Sequence, residues 1–269
     1  MVLKKQLTIS SWNVHGLYQR INGERSCKLD DDEFVSNIKS DIVCLLETKC
    51  DKEDNISIKN YQLLKKVLRP RKGKGIYGGV AIYAKSSICK GISFLKNESS
   101  EYLWAKLDKL HFSHNHDIFI CFVYNSPKNS SFTKKQSNQP STLENIERDI
   151  SKYSSLGEII LIGDFNAHIC SNDLDFVEND QDVNLQHILP NSYLPDSVRE
   201  RFSVKRDTKT DEFGKQILDL CISSRCRILN GRTLGDTMGN VTSFQYNGSS
   251  TVDYCIVSSS LLKMYVILM

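Results

Sequence analysis

The chain has 269 residues, 40% hydrophobic and 25% charged, which is enough to bury one sizeable core and excludes a disordered or fibrous protein. Against 35 Lys and Arg stand 32 Asp and Glu, a net charge of +3, so bulk charge selects no partner and any basic surface must be local. Nine cysteines with no CxxC pair, behind an N-terminus that lacks the apolar run of a secretory signal, read as reduced thiols in an intracellular protein. The longest apolar run, Leu261 to Met269 with Lys263 inside it, falls short of the roughly 20 residues a membrane helix needs, so no membrane partner is expected.

In chain order, segments rich in β-branched and aromatic residues predict strands at Gln6 to Asn13, Asp41 to Leu46, Tyr61 to Leu68, Gly78 to Ala84, Tyr102 to Leu107 and Asp117 to Tyr124. Further strands are predicted at Glu158 to Ile162, Arg227 to Leu229 and Thr251 to Val257. Apolar residues spaced by three and four predict helices over Asp31 to Ile38, Leu143 to Tyr153 and Glu212 to Ser223, with Ser141 and Thr142 as candidate caps for the second. Strands follow one another between residues 78 and 124 without a helix, so part of the sheet is antiparallel and a doubly wound nucleotide-binding domain is disfavoured. GxxxxGK[ST] does not occur, and no small-molecule cofactor is expected. The polar stretches Asn125 to Gln139 and Cys170 to Asp211 read as loops, and no repeat or linker divides residues 1 to 269, read as one domain.

Chemistry gathers at strand ends. In Ile159 to His168 a buried-type apolar run stops at Gly163 and then presents Asp164 and Asn166 two residues apart, on one face if the extended geometry continues. An acid that activates water beside an amide suits attack on a phosphate; an Asx-type turn closing the strand is the plain alternative. Similar ends occur at Asn13 before Gly16 and at Glu47 after Leu45 and Leu46, while Asp253 lies inside an otherwise apolar strand. If these ends converge, Asn13, Glu47, Asp164, Asn166 and Asp253 make an oxygen-rich pocket better suited to Mg²⁺ or Mn²⁺ than to Zn²⁺.

Three weaker signals accompany these. From Leu64 to Lys85 there are seven basic residues and no acid, Arg71, Lys72 and Lys74 among them; the segment is either a phosphate contact or a solvated hairpin. His111, His114 and His116 read as a polar hairpin tip rather than a metal site, and Trp104 reads as core rather than a base-stacking platform.

The order SWNVHG, LLETK, GGVAIYAK, VYNSP, GDFNAHI, NGR and SSTVDY resembles the endonuclease/exonuclease/phosphatase superfamily, over about Thr8 to Ser258. Within it the likeness is closest to endonuclease domains of non-LTR retrotransposons, which are related to apurinic/apyrimidinic endonucleases. The resemblance implies an α+β fold, a four-layer sandwich of two packed mixed sheets flanked by helices, and metal-dependent phosphodiester hydrolysis. By position, Glu47 matches the metal-binding Glu and Asn13 the Asn supporting metal and phosphate. Asp164 matches the Asp that activates water, Asn166 the Asn beside it, and Tyr124 a phosphate-side Tyr, although the Asn that follows that Tyr in repair enzymes has no clear counterpart. His15 stands where repair enzymes usually carry an Asp, and its role stays open. Asp253 matches the Asp that orients a catalytic His. That His belongs to a C-terminal SDH motif, and none of the 16 residues after Asp253 is His, so the chain reads as cut before its final strand.

Two functions of different class follow. One is a Mg²⁺-dependent (or Mn²⁺-dependent) DNA-nicking endonuclease of retroelement type, nuclear, a monomer or part of a larger polyprotein, and inactive as this short chain if the missing His is required. The other is a non-catalytic remnant that at most binds nucleic acid. A third reading, a superfamily member acting on inositol phosphates, sphingomyelin or RNA tails, is disfavoured by the NGR and GSSTVDY segments.

Overall fold

A computed structural model describes residues 6–69, 75–96, 99–128, 130, 140–177, 200–204, 209–246 and 248–263. Arg71, Lys72 and Lys74 lie outside the described residues, as do His187 and most of the two polar loops. The described backbone falls into two compact units, residues 1–115 and 116–269.

The first unit is built from strands β1 (Ile9–Asn13), β2 (Tyr18–Ile21), β3 (Glu24–Cys27), β4 (Ile42–Leu46), β5 (Tyr61–Val67), β6 (Val80–Lys85), β7 (Ile92–Phe94) and β8 (Tyr102–Leu107). Helix α1 (Asp32–Ser36) and the single turn α2 (Lys109–Phe112) complete it. One sheet runs β1-β4-β6-β5, with β1 parallel to β4 and the other pairs antiparallel. Every residue of β4 is buried, as expected of its unbroken apolar run, whereas edge strand β5 is bulged after Leu63 and carries Lys65 and Lys66. Val14, Leu17, Val43, Leu45, Ala81 and Tyr83 form the core, against which Phe34 and Val35 of α1 pack. Asp41, just ahead of β4, accepts from the Thr8 amide (3.0 Å), the Thr8 hydroxyl (2.9 Å) and the Lys85 ammonium (3.0 Å), so one carboxylate ties the beginnings of β1 and β4 to the end of β6. Burial pushes that carboxyl up, and these three donors more than offset it, leaving it below the usual carboxylate range.

The second unit contains β9 (Asp117–Tyr124), α3 (Thr142–Tyr153), β10 (Gly157–Asp164), α4 (Glu212–Ser224), β11 (Cys226–Ile228), β12 (Ser243–Gln245), β13 (Gly248–Ser250) and β14 (Asp253–Ser258). Its main strands lie in the order β11-β14-β10-β9, with β9 parallel to β10 and β14 antiparallel to both neighbours. Helix α3 opens with a capping box in which the Ser141 hydroxyl accepts from the Glu144 amide (3.1 Å) and the Glu144 carboxylate accepts from the Ser141 amide, a motif that contributes about 1 kcal/mol. It buries Leu143, Ile146, Ile150 and Tyr153 on one face. Asp211 caps α4 by accepting from the Gly214 amide at 2.7 Å. The chain after α4 is anchored by a bidentate pair: Asp175 accepts from both Arg232 guanidinium nitrogens (2.7 and 2.8 Å) and from the Ile228 amide (2.7 Å).

The expected α+β class with mixed sheets holds, and Trp104 is fully buried. Residues 108 to 116 differ from the expected hairpin tip. Asp108 caps the turn α2 through the His111 amide (2.9 Å), and Ser113 ends it in the left-handed region at φ 56°, so His111 sits in a helical turn. None of the nine cysteines is in a disulfide. No helix among the described residues is long and apolar enough to cross a membrane.

Candidate active site

The first unit brings Asn13 and Glu47 together. Parallel pairing sets Asn13 opposite Leu46, and the two chains stay bonded past the strand ends through Val14 N to Leu46 O (3.0 Å) and Gly16 N to Glu47 O (2.7 Å). Glu47 leaves the strand at φ 52°, a left-handed conformation that costs a non-glycine residue on the order of 1 kcal/mol and is often retained where side-chain placement matters. The Asn13 amide Nδ2 donates to Glu47 Oε1 at 3.3 Å, while its Oδ1 accepts from the His15 backbone amide at 3.0 Å. The other carboxylate oxygen, Oε2, lies 2.9 Å from Lys49 Nζ and 3.5 Å from His15 Nδ1. Glu47 is therefore an oriented carboxylate whose open side already attracts positive charge. Lys28, which donates to the Val14 carbonyl at 2.7 Å, has its ammonium pKa lowered by burial and then by the charge of Lys49.

The second unit brings together Tyr124, Asp164, Asn166 and Asp253. Strand register places Tyr124 opposite Asp164 on one side and Asp253 opposite it on the other, so the three share a row across β9, β10 and β14. Asp164 is buried and its Oδ1 accepts from the Asn166 amide at 2.9 Å. The Asx-type turn considered from sequence is thus present, and it is what places Asn166. The supposed extended geometry does not continue, because Asn166 adopts φ 46°. Asn166 Nδ2 donates to the Asn125 carbonyl (2.8 Å), Asn125 Nδ2 to the Phe165 carbonyl (3.0 Å), and the Asn125 amide to the Asp164 carbonyl (2.8 Å). Together with the bond from the Asn166 amide to Asp164 Oδ1, this bracket fixes the two residues beyond the strand.

Asp253 opens β14 rather than lying within it. Its backbone is held by Thr242 Oγ1, which accepts from the Asp253 amide (3.1 Å), and by Asn230, whose Nδ2 donates to the Asp253 carbonyl (3.1 Å) and whose Oδ1 accepts from the Cys255 amide (3.0 Å). Burial raises the Asp253 carboxyl to about 6, and the Thr242 hydroxyl pulls the other way. Asn125, Asn230 and Thr242 were not singled out from sequence. The signals available were an Asn directly after the last strand residue and the Asn of NGR.

The donor set fits a hard divalent ion in one respect: Glu47 supplies a single oriented carboxylate, and Mg²⁺ commonly takes one or two carboxylates plus water and substrate oxygens. Among the described residues no group of three or more His, Cys, Asp and Glu side chains could by itself enclose a metal.

A search of curated proteins gives no match. Among solved structures, the catalytic domain of Xenopus laevis APE2 is 14% identical over 96% of this chain and 84% of its own, with a TM-score of 0.58. The AP endonuclease LMAP from Leishmania major is 20% identical over 96% of this chain and 80% of its own, with a TM-score of 0.55. A 3′ phosphatase, NExo, from Neisseria, solved bound to a product DNA hairpin, is 17% identical over 96% of this chain and 89% of its own, at a TM-score of 0.53. These likenesses establish a shared α+β sandwich fold. The sequence from residue 10 to residue 264 matches the Endonuclease/Exonuclease/phosphatase family, and the chain belongs to that family.

Proposed function

We propose that this chain is a metal-dependent phosphodiester hydrolase that nicks DNA, a retroelement-type endonuclease acting in the nucleus. The observation that carries the reading is the bracket at the end of β10, which buries Asp164 and locks Asn166 beside it in a left-handed turn. Family membership supports hydrolysis of a phosphate ester, and the order of the sequence motifs supports the retroelement type.

In this reading Asp164 accepts a proton from the attacking water, while Asn166 and Tyr124 donate to phosphate oxygens as negative charge grows on them. Asp253, whose carboxyl burial raises to about 6, flanks Asp164 and holds the place of the acid that would orient a catalytic His. Glu47 and Asn13 would hold a divalent cation, Mg²⁺ or Mn²⁺, which when bound would polarise the phosphate and stabilise the leaving oxygen. Arg71, Lys72 and Lys74 contact the DNA backbone rather than its bases, since the segment offers cations and no cluster of Asn, Gln or aromatic residues.

The test is nicking of supercoiled plasmid by the purified chain in Mg²⁺ or Mn²⁺. EDTA-sensitive nicking that falls at least 100-fold in Asp164→Asn supports the reading. No nicking by a chain that still binds duplex DNA favours the non-catalytic alternative.

A further inference from the structure

The second unit carries a bonded module that the proposed chemistry does not use. Asp236, itself buried, ties together the loop after β11: one carboxylate oxygen accepts from the Gly231 amide (3.1 Å), the other from the Asn240 amide and side chain (2.8 Å each). Thr251 Oγ1 donates to the Asn240 carbonyl (3.2 Å) and the Thr242 amide to the Ser250 carbonyl (2.9 Å), so the β12–β13 ribbon is fastened to that loop at its base. Residues 202–204 lie across the same loop, the Phe202 amide on the Gly231 carbonyl (2.8 Å) and the Val204 amide on the Gly239 carbonyl (3.1 Å). The module holds Phe202, Val204, Leu234, Met238, Phe244 and Tyr246, each more than half exposed. In a chain that is 25% charged, the one charged residue from Thr233 to Val252 is the buried Asp236.

We propose that this module is a self-association face whose occupant is the same module of a second copy of the chain, ribbon edge to ribbon edge about a twofold axis. A face for the DNA backbone needs cations, and none stands between Thr233 and Val252. Absent charge beside exposed Phe, Tyr and Met is instead the composition of a protein interface core. At about 200 Å² for a fully exposed large side chain, the six present on the order of 800 Å². That exceeds the roughly 300–600 Å² of a typical monomer's largest apolar patch and matches the roughly 800 Å² each partner gives a standard interface. Among the described residues β12 and β13 pair with each other alone, and β12 has no Lys, Pro or bulge to blunt its edge, unlike the bulged, lysine-bearing β5. A twofold axis sets a face against its own copy, which a charged face resists; here the face is neutral and the net charge of +3 per chain adds little repulsion. The inference is independent of the nuclease reading and departs from the monomer expected from sequence.

The test is analytical ultracentrifugation of the full chain over about 1–100 µM, where a dimer with a Kd in the micromolar range is expected. Phe244→Glu and Leu234→Glu each place two carboxylates in the twofold interface and raise that Kd at least tenfold; both side chains are exposed, so circular dichroism and the melting temperature stay as in wild type. Phe244, at the middle of β12, lies nearest the axis. Mixing Phe244→Glu with Phe244→Lys therefore restores the dimer as a heterodimer, which non-specific aggregation does not do. A chain that stays monomeric throughout, a dimer whose Kd neither Glu variant changes, or a mixture that fails to recover association overturns the proposal. So does a double change of Phe244→Ser and Tyr246→Ser that leaves association intact and weakens duplex DNA binding, which gives the face to nucleic acid instead.

Discussion

Asp164 and Asp253 are register partners on the antiparallel strands β10 and β14, yet their surroundings differ. Asp164 accepts a backbone hydrogen bond through its carboxylate, while burial lifts the Asp253 carboxyl to about 6.

That difference gives a pH signature. An acid ordinarily near 3.8 that titrates near 6 in the folded chain binds its proton more tightly there than in the unfolded chain. Its contribution to stability is full below pH 3.8 and is lost as pH rises through about 6. Asp253→Asn removes this loss, so the variant should be more stable than wild type at pH 7.5 by on the order of 1–2 kcal/mol and nearly equal to it at pH 4. Urea unfolding at a series of pH values checks this.

Asn125 braces the turn that carries Asp164 and Asn166 at the end of β10. Asn125→Ala strips the Phe165 carbonyl of its donor, costing about 1–3 kcal/mol. Loss of position at Asn166 should also lower kcat by about 10- to 100-fold with KM little changed. Steady-state kinetics beside thermal melts separate the two effects; a kcat that follows only the folded fraction would reduce Asn125 to a structural residue.

Gly163 and Gly248 share nearly the same φ, 148° and 145°, but not the same surroundings. A Cβ on Gly163 would stand 2.0 Å from the Val123 carbonyl oxygen, whereas one on Gly248 meets nothing within 4 Å. Gly248→Ala should therefore cost about 1–2 kcal/mol for backbone strain alone. Gly163→Ala adds a clash that β9 can relieve only by moving away from β10, and should lose well over 3 kcal/mol or fail to fold. Chemical denaturation of the two variants side by side tests this.

The buried pair of Asp175 and Arg232 should behave as a unit. Asp175→Ala takes the carboxylate away from a buried guanidinium and should cost about 3–5 kcal/mol. Removing both partners should cost less than the sum of the single changes, and a double-mutant cycle in urea measures the difference.

Neutralising Arg71, Lys72 and Lys74 together should weaken duplex binding and reduce the steepness of its salt dependence, as expected when phosphate contacts are lost. Fluorescence anisotropy at several salt concentrations tests this, and a slope equal to wild type would show that the segment does not touch DNA.

The nine expected strands formed because each is apolar or β-branched over several residues, and burial leaves a periodic trace. Tyr102–Leu107 and Asp117–Tyr124 fall where the sequence places them. The β2 and β3 hairpin escaped because YQRI and ERSC carry little apolar periodicity, although Asn22 and Gly23 between them, at φ 51° and 88°, are a strong hairpin-turn dipeptide. Turn α2 is too short for any helical period. At the site, the acids and amides were visible as interruptions of apolar runs. Asn125, Asn230 and Thr242 were not, since side chains that bond to another segment's backbone depend on tertiary proximity.

The row formed by Tyr124, Asp164 and Asp253 has a genetic consequence. Because it depends on counting residues along three strands at once, one codon gained or lost between Ile118 and Val123, or between Ile159 and Ile162, displaces one of these side chains by one place and turns it to the opposite face of the sheet. Most single apolar exchanges within the same stretches keep that count. In this chain, length variation inside the inner strands is therefore a sharper mark of lost function than sequence variation there.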